Sequence, residues 1–333
     1  MKTFNLSSTQ DNGISAVICD IGARLLELNV PQENGSFVDL ITGPSTESEI
    51  VNDQCFMGAS VGRFGNRVSD GTYQFNGKTH QLTINDGVNH LHGGEGLHQR
   101  TWELVEQSEH SVTLSIKSDA GEDGYPGNVC IQAKYTISEV DTLQVEYSAT
   151  TDESTPINIV QHAYWNLTGD PKQSIENHVL QSENLSAYLE INETMIPTGK
   201  VANASNTPFD FSAAKSLRDG LASQHTQLEL AGGYDHCLVF SEEINSSVSN
   251  SLTLTDPLSN RSLTIKTNMP AVQLYSGNFL DGSQSGKQST INYRTGLCIE
   301  TQHYPDAMNH SHFPSAILNP DEIYQHTIEY IFQ

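Results

Sequence analysis

The stretch Gly296-Leu-Cys-Ile-Glu-Thr-Gln-His-Tyr-Pro-Asp-Ala-Met-Asn-His310 shows the pattern on which the fold depends. Its apolar run, residues 297–299, is typical of a short buried strand. Pro305 then breaks the strand, because proline fixes φ and donates no backbone hydrogen bond. Glu300 ends the apolar run among polar neighbours. Its carboxylate could act as a general base, or it could bond to an arginine or a backbone amide.

The same alternation of short strands and turns continues along the rest of the chain. Residues 71–82 alternate around Asn76-Gly77, the strongest short signal for a β-hairpin. The segment 212–217 is the only plausible helix start, with Asp210 or Ser212 as its N-cap. The pattern therefore predicts an all-β fold, a large antiparallel β-sandwich. Further strands are predicted at 14–21, 25–30, 37–41, 129–138, 143–150, 184–191, 199–201, 237–240, 252–255, 262–266 and 323–332.

Composition restricts the partners of the protein. The 333 residues include 16 Lys and Arg against 40 Asp and Glu, a net charge of −24 that repels nucleic acid and anionic membranes. The cysteines at 19, 55, 130, 237 and 298 are dispersed without CxxC spacing. They read as reduced thiols, and the N-terminus lacks an apolar signal-peptide core. We expect a cytoplasmic protein with no nucleic-acid or membrane partner.

Several polar side chains lie where they could bind a ligand or transfer a proton. Arg63 and Arg67, four apart among glycines, could present guanidinium forks to vicinal oxygens. His90 and His92, two apart, would share a strand face; a metal role is the weaker interpretation, because no third ligand has a recognisable spacing. His162 follows an apolar strand, and a core role or a proton-transfer role fits it about equally.

Seven segments taken together resemble the aldose 1-epimerase (galactose mutarotase) family. Each is moderately specific, and their shared order and spacing make the resemblance highly specific across nearly the whole chain. They are GRFGNRV at 62–68, NHLHGG at 89–94, EDGYPG at 122–127, QHAYWNL at 161–167, GYDHCL at 233–238, QLYSGNFLDG at 273–282 and GLCIETQHYPDA at 296–307.

The resemblance implies a single aldose 1-epimerase domain, residues 1–333, of the mutarotase sandwich type with an open sugar cleft. It implies Glu300 as catalytic base and His162 as acid. It also implies a monomer or homodimer acting on free aldohexoses such as galactose and glucose, with no metal and no cofactor. The sugar contacts implied by motif are Arg67, His92, Asp235 and Gln273, with Asn66 beside them in its motif.

Other functions remain open at this point. A hexose-6-phosphate 1-epimerase would need extra cations near the cleft, and the chain has few. A non-catalytic carbohydrate-binding protein would lack the Glu or the His. A glycosidase would need two carboxylates astride the bond, for which Glu300 and Asp235 could be suggested. Tyr125 and Trp165 could cover a sugar face, or could equally belong to the core.

Overall fold

Two large antiparallel sheets dominate the structure, a computed structural model that describes residues 1–241, 248–287 and 289–333. The larger sheet has nine strands. In spatial order they are Glu103–Gln107, Ser111–Ser118, Val129–Glu139, Thr142–Thr151, Tyr324–Phe332, Ser262–Thr267, Asn250–Thr255, Val179–Gln181 and Lys215–Ser216. The C-terminal strand, Tyr324–Phe332, lies at the centre of this sheet.

The second sheet has seven strands and carries the chemistry described below. In spatial order they are Pro197–Asn203, Leu185–Ile191, Asp235–Phe240, Ala271–Tyr275, Leu297–Gln302, Tyr164–Trp165 and Ile41–Thr42. A four-stranded N-terminal sheet contains Thr3–Ser7, Ser15–Cys19, Arg24–Pro31 and Phe37–Asp39.

Short two-stranded ladders and short helices connect these sheets. The ladders are Arg67–Val68 with His90–Leu91, Ser60–Val61 with Val160–Gln161, Thr72–Phe75 with Lys78–Gln81, Thr155–Pro156 with Ile317–Leu318, and Gln284–Gly286 with Ser289–Ile291. The α-helices are Glu47–Val51, Leu217–Leu221 and Thr226–Ala231. Single 3₁₀ turns occur at Ser69–Gly71, Leu97–Gln99, Glu122–Gly124, Ile175–Asn177 and Ala307–Asn309.

The core lies between the inner faces of the two large sheets. The strand Val129–Glu139 alternates buried and exposed residues, as expected when one face is solvated. The central strands of the seven-stranded sheet are buried on both faces. One face packs into the core through residues such as Leu274 and Ile299, and the other remains available for a site.

The fold class predicted from the sequence is confirmed, and so is the hairpin at 71–82. Its strands are Thr72–Phe75 and Lys78–Gln81. Both turn residues have positive φ, 50° at Asn76 and 74° at Gly77. A type I′ turn requires this combination, which Asn-Gly adopts readily.

The helix prediction is wrong in position and in number. Residues 212–214 form no helix; the helix begins at Leu217 and is capped by the Ser216 side chain. The sequence analysis also missed Glu47–Val51, although Thr46 and Glu49 form a capping box with the detectable pattern Thr-x-x-Glu. Helix propensity summed over so few residues is a weak signal. The residue that caps the N-terminus decides where each of these short helices begins.

Within the described ranges, no helix has both the length and the apolar character that crossing a membrane requires.

Candidate active site

The strand Leu297–Gln302 brings three polar side chains to one face of the seven-stranded sheet. Successive strand residues point to opposite faces, so Cys298, Glu300 and Gln302 share a face. Leu297 and Ile299 point the other way, into the core. This arrangement anchors the carboxylate on a rigid central strand rather than on a loop.

Glu300 lies directly opposite Gln273 on the neighbouring strand Ala271–Tyr275. Together they line a cleft of about 600 Å³ that opens to the surface. That volume suits a small polar ligand. The lining brings together the sequence-predicted site residues Asn66, Arg67, His92, His162, Asp235, Gln273 and Glu300.

His162 meets Glu300 from the loop between two short strands. Its backbone N–H donates to the Ala59 carbonyl at 2.9 Å, and its own carbonyl accepts from Gly58 N–H at 2.8 Å. These bonds hold the ring with Nε2 at 3.7 Å from Glu300 Oε1. The other ring nitrogen, Nδ1, contacts the Cys298 thiol at 3.6 Å. The strand of Glu300 therefore contacts both nitrogens of His162.

Burial acts on the two groups in opposite directions. The His162 side chain is 6% exposed and that of Glu300 is 3%. Loss of water lowers the pKa of His162 to about 4. Burial, with Asp235 adding its charge, raises the pKa of Glu300 well above its ordinary value, while Arg67 acts against the rise. Both shifts favour the uncharged forms, a neutral imidazole on His162 and a protonated carboxyl on Glu300.

Arg67 is held between two carboxylates. Its Nε donates to Asp86 Oδ2 at 2.8 Å, and its Nη1 lies 3.5 Å from Asp235 Oδ2. Burial opposes the charge, but Asp235 and Asp86 outweigh it and raise the pKa of Arg67. Gln273 Nε2 donates to the other oxygen of Asp235 at 2.6 Å, which fixes the direction in which that amide points.

Asn66 and His92 hold each other in place. Asn66 has a left-handed backbone, with φ of 68°, and its N–H donates to His92 Nδ1 at 3.1 Å. His92 N–H in turn donates to the Asn66 carbonyl at 3.2 Å. Since Nδ1 accepts, the neutral imidazole of His92 carries its proton on Nε2 and serves as a hydrogen-bond donor through that atom.

The spacing of residues in the sequence disfavoured a metal site, because it showed no third ligand. In the fold a possible third ligand is present, so that reason is wrong. His92, His162 and Glu300 each bring a possible ligand atom, and these atoms lie within 4.8 Å of one another. The tautomer of His92 argues against coordination instead, because Nδ1 is engaged by Asn66 and Nε2 is protonated. This donor set fits hydroxyl groups better than a cation.

Several sequence-based interpretations are corrected here. His90 and His92 share no face, because His92 has φ of 50° and turns away. His90 instead bonds to the Thr83 carbonyl and the Tyr125 hydroxyl, at 2.6 and 2.7 Å. Arg63 is buried and donates to the carbonyls of Ser118, Asp119 and Pro126, so Arg67 alone of the two arginines reaches the cleft.

Tyr125 and Trp165 are core residues. Tyr125 is fully buried in an apolar cluster, and Trp165 packs on Tyr330 and Phe332. The aromatic residues that line the cleft are Phe56, Tyr164, Tyr275 and Phe279. Phe56 contacts the rings of His92 and His162, with centroids at 4.7 and 5.9 Å.

Sequence reasoning missed several polar residues of the site, among them Asp86, Gln54 and Thr194 in the cleft lining, and Gln302 beside it. Asp86 could have been noticed only through Arg67, since nothing in its local pattern indicates a salt bridge to residue 67. Gln302 had a local signal, because strand alternation puts it on the face of Glu300. It links Asn66 Nδ2 to Gln273 Oε1, both at 3.4 Å.

Comparison with known proteins matches the whole chain to one family. The family model described as aldose 1-epimerase covers residues 5–331. Galactose mutarotase of Sus scrofa is 34% identical over 336 residues, covering 100% of this chain and 94% of that protein. Aldose 1-epimerase of Escherichia coli (strain K12) is 33% identical over 336 residues, covering 99% and 96%.

Solved structures agree with the sequence comparison. A GalM/aldose epimerase homologue from C. elegans superposes with a TM-score of 0.90 at 31% identity, covering 100% of this chain and 98% of that one. Galactose 1-epimerase from Lactobacillus acidophilus NCFM has a TM-score of 0.83 at 26% identity, covering 100% and 99%. Sequence and fold therefore agree over the full length.

Proposed function

Because the chain belongs to the aldose 1-epimerase family, it is an isomerase, and we propose that its cleft interconverts the α and β anomers of free aldohexoses such as galactose and glucose. The observation that carries the proposal is the buried pair of Glu300 and His162, 3.7 Å apart at the base of the cleft. In this proposal Glu300 is the catalytic base and His162 is the catalytic acid.

The reaction begins with opening of the sugar ring. Glu300 takes the proton of O1, the electrons of that O–H bond form the C1=O1 double bond, and the C1–O5 bond breaks. O5 keeps the bonding electron pair and receives a proton from His162. The aldehyde then turns about C1–C2, and the ring closes on its other face as both protons return. The pair thus begins and ends each turnover with one proton.

The reaction needs one proton on the pair of Glu300 and His162. Burial favours the neutral form of the pair, with the proton on Glu300. A bound sugar brings hydroxyl donors to the carboxylate, and hydrogen bonds to the charged form of a group favour that form. The proton then passes to His162, 3.7 Å away, which prepares the base and the acid together.

The remaining polar residues bind the hydroxyl groups of the sugar. Arg67 and His92 Nε2 act as donors, Asp235 acts as an acceptor, and the amides of Gln273 and Asn66 can do both. These groups also hold the open chain until it recloses. Their mutual bonds fix their orientation before sugar arrives, which limits the ordering cost of binding.

A hexose-6-phosphate substrate fits this cleft less well. Arg67 is the only lysine or arginine among the described residues that line it. Its charge already faces the carboxylates of Asp86 and Asp235. A phosphate dianion would add negative charge with no further cation to balance it. Free aldoses are therefore the better substrate class.

We also propose that the chain, residues 1–333, works as one domain in the cytoplasm, as a monomer or homodimer. The described cleft residues all come from one chain, so one copy contains the complete constellation. All five cysteines are free thiols, which suits a reducing compartment. The acidic balance disfavours nucleic acid and membrane partners.

The decisive experiment is polarimetry of freshly dissolved α-galactose and α-glucose with the wild-type protein and Glu300→Gln. The amide keeps the shape of the side chain but cannot take the O1 proton. We expect the mutarotation rate to fall by about 10²–10⁴-fold, equivalent to ~3–5 kcal/mol of barrier, while calorimetry still detects sugar binding.

A suitable control is Glu106→Gln, the same change on the exposed edge strand Glu103–Gln107. It should keep wild-type activity. A Glu300→Gln protein that binds sugar and retains a third of wild-type activity would refute the assignment of the base.

A further inference from the structure

Asp86 is the one carboxylate at the cleft that neither the motifs nor the proposed chemistry explains. It receives the Arg67 Nε–H at 2.8 Å, and it lines the same cleft as Glu300. Its side chain is 37% exposed, against 13% for Arg67 and 9% for Asp235. Asp86 therefore lies on the outer side of Arg67, and Asp235 lies on the inner side.

The backbone holds Asp86 firmly in that position. A tight turn at 86–89 has the Asp86 carbonyl accepting from Asn89 N–H at 2.9 Å, and Asp86 N–H donating back to the Asn89 carbonyl at 3.1 Å. The Asn89 side chain ties the turn to the Thr194 carbonyl at 3.1 Å. These bonds fix the backbone of Asp86, and its carboxylate lies beside Arg67 in a salt bridge.

This carboxylate competes with any anion that approaches the guanidinium. Arg67 supplies the only lysine or arginine charge among the described lining residues, and two carboxylates already face it. An incoming carboxylate or phosphate would have to displace Asp86 from Nε or bind beside it. Neutral hydroxyl groups face no such competition, because they can use the remaining N–H groups of the guanidinium.

We propose that Asp86 is a specificity-determining residue, which positions Arg67 for neutral aldoses and excludes anionic ones such as hexuronates and hexose phosphates. This inference rests on the proposed role of the cleft as an aldose site. It adds a selection mechanism to that role: Asp86 acts as a built-in anion that occupies the place a substrate anion would take. Discrimination of this kind depends on repulsion as well as on attraction.

The test compares galactose with galacturonate, which differ in charge and share a free anomeric centre. Asp86→Asn keeps the backbone bonds of the turn and removes one negative charge. We expect the KM for galactose to rise about three- to tenfold, because Arg67 loses an anchor, while kcat changes less than about twofold. The ratio of kcat/KM for galacturonate to that for galactose should rise about five- to tenfold at low ionic strength.

Two further variants separate this mechanism from a general effect of charge or structure. Asp86→Glu restores the carboxylate and should return the ratio to within about threefold of wild type. Glu95→Gln removes one exposed carboxylate from a neighbouring loop and should leave the ratio unchanged. Addition of 0.5 M salt, which gives a Debye length of about 4 Å, should shrink the change produced by Asp86→Asn.

Calorimetric binding of both sugars to every variant provides a readout that does not depend on turnover. If Asp86→Asn lowers activity on both sugars equally, or if Glu95→Gln raises the ratio as much, the proposal is overturned. If the wild-type protein binds galactose but does not speed its mutarotation, the proposed function fails. In that case the ratio of the two dissociation constants still decides whether Asp86 selects against anions.

Discussion

At the scale of single residues, the proposed chemistry depends on two groups that have both lost water. Glu300 and His162 are almost fully buried, and burial favours the neutral form of each. Neither group alone would be useful as found, because burial lowers the pKa of His162 to about 4 and raises the pKa of Glu300 well above its ordinary value. Within the pair, a proton can move from one group to the other without a change in net charge.

The first prediction at this scale concerns pH. Below about pH 4 the pair takes a second proton on His162, and no base remains. Above the raised pKa of Glu300 it loses its last proton, and no acid remains. We therefore expect kcat/KM for galactose to fall at low pH and at high pH, with a plateau between the two pKa values. The measurement is polarimetry across pH in buffers of constant ionic strength.

Glu300→Gln supplies the check on that profile. Its residual activity should lose the alkaline fall that depends on Glu300. If the alkaline fall persists unchanged in this variant, another group is responsible for it.

The second prediction tests whether the two groups act in one event. His162→Asn should slow mutarotation by about 10²–10⁴-fold, because O5 is left without a proton donor. If proton transfers at O1 and O5 are coupled, the double variant with Glu300→Gln should be little slower than the worse single variant. If the rate losses of the two single variants multiply in full in the double variant, the two proton transfers do not share one step. Sugar binding by each variant, followed calorimetrically, is the control for folding.

At the scale of elements, the strand Leu297–Gln302 organises the site. One face carries Cys298, Glu300 and Gln302, of which Glu300 lines the cleft, and the other face supplies Leu297 and Ile299 to the core. The loops on either side of Arg67 depend on close backbone approaches. Gly93 is the clearest case, since a Cβ there would lie 1.9 Å from the Gly62 carbonyl oxygen.

The third prediction uses two glycines with the same backbone conformation. Gly93 and Gly35 both have φ of 81°, but a Cβ at Gly35 would have nothing within 4 Å. Gly35→Ala should therefore cost only the strain of a left-handed residue, about 1 kcal/mol in free energy of unfolding. Gly93→Ala adds a collision with fixed backbone and should cost at least about 2 kcal/mol more.

Urea denaturation of the two variants and the wild type measures this difference. Equal losses in the two variants would mean that the Gly62 and Gly93 segments are not in close contact. The position of Gly93, one residue after His92, also leads us to expect weaker sugar binding in Gly93→Ala.

At the scale of the whole molecule, the fourth prediction concerns metals. Folding brings His92, His162 and Glu300 together from three distant parts of the chain, within 4.8 Å. The bond from Asn66 N–H to His92 Nδ1 leaves the wrong tautomer for coordination. We expect mutarotase activity to survive exhaustive chelation. A treated sample that loses most activity and regains it with zinc would reverse this view.

Local patterns in the sequence determined the class of the fold and predicted residues that line one cleft. Asn76-Gly77 specifies its hairpin because few dipeptides adopt two positive φ angles. The strand 297–302 could be recognised because an apolar run and a proline are local signals. The seven motifs predicted Glu300 as base and His162 as acid, because the order of the motifs can be read from the sequence without any distance.

Only the tertiary structure decided which residues act together and in what state. Asp86 meets Arg67 across 19 positions of chain, and no local pattern specifies that pairing. The sequence offered Arg63 and Arg67 as equivalents, yet one is a buried structural anchor and the other lines the cleft. The opposite pKa shifts of His162 and Glu300 likewise depend on burial, and their contact depends on a 3.7 Å separation. These properties arise from long-range packing, and packing is complete only when the chain has folded.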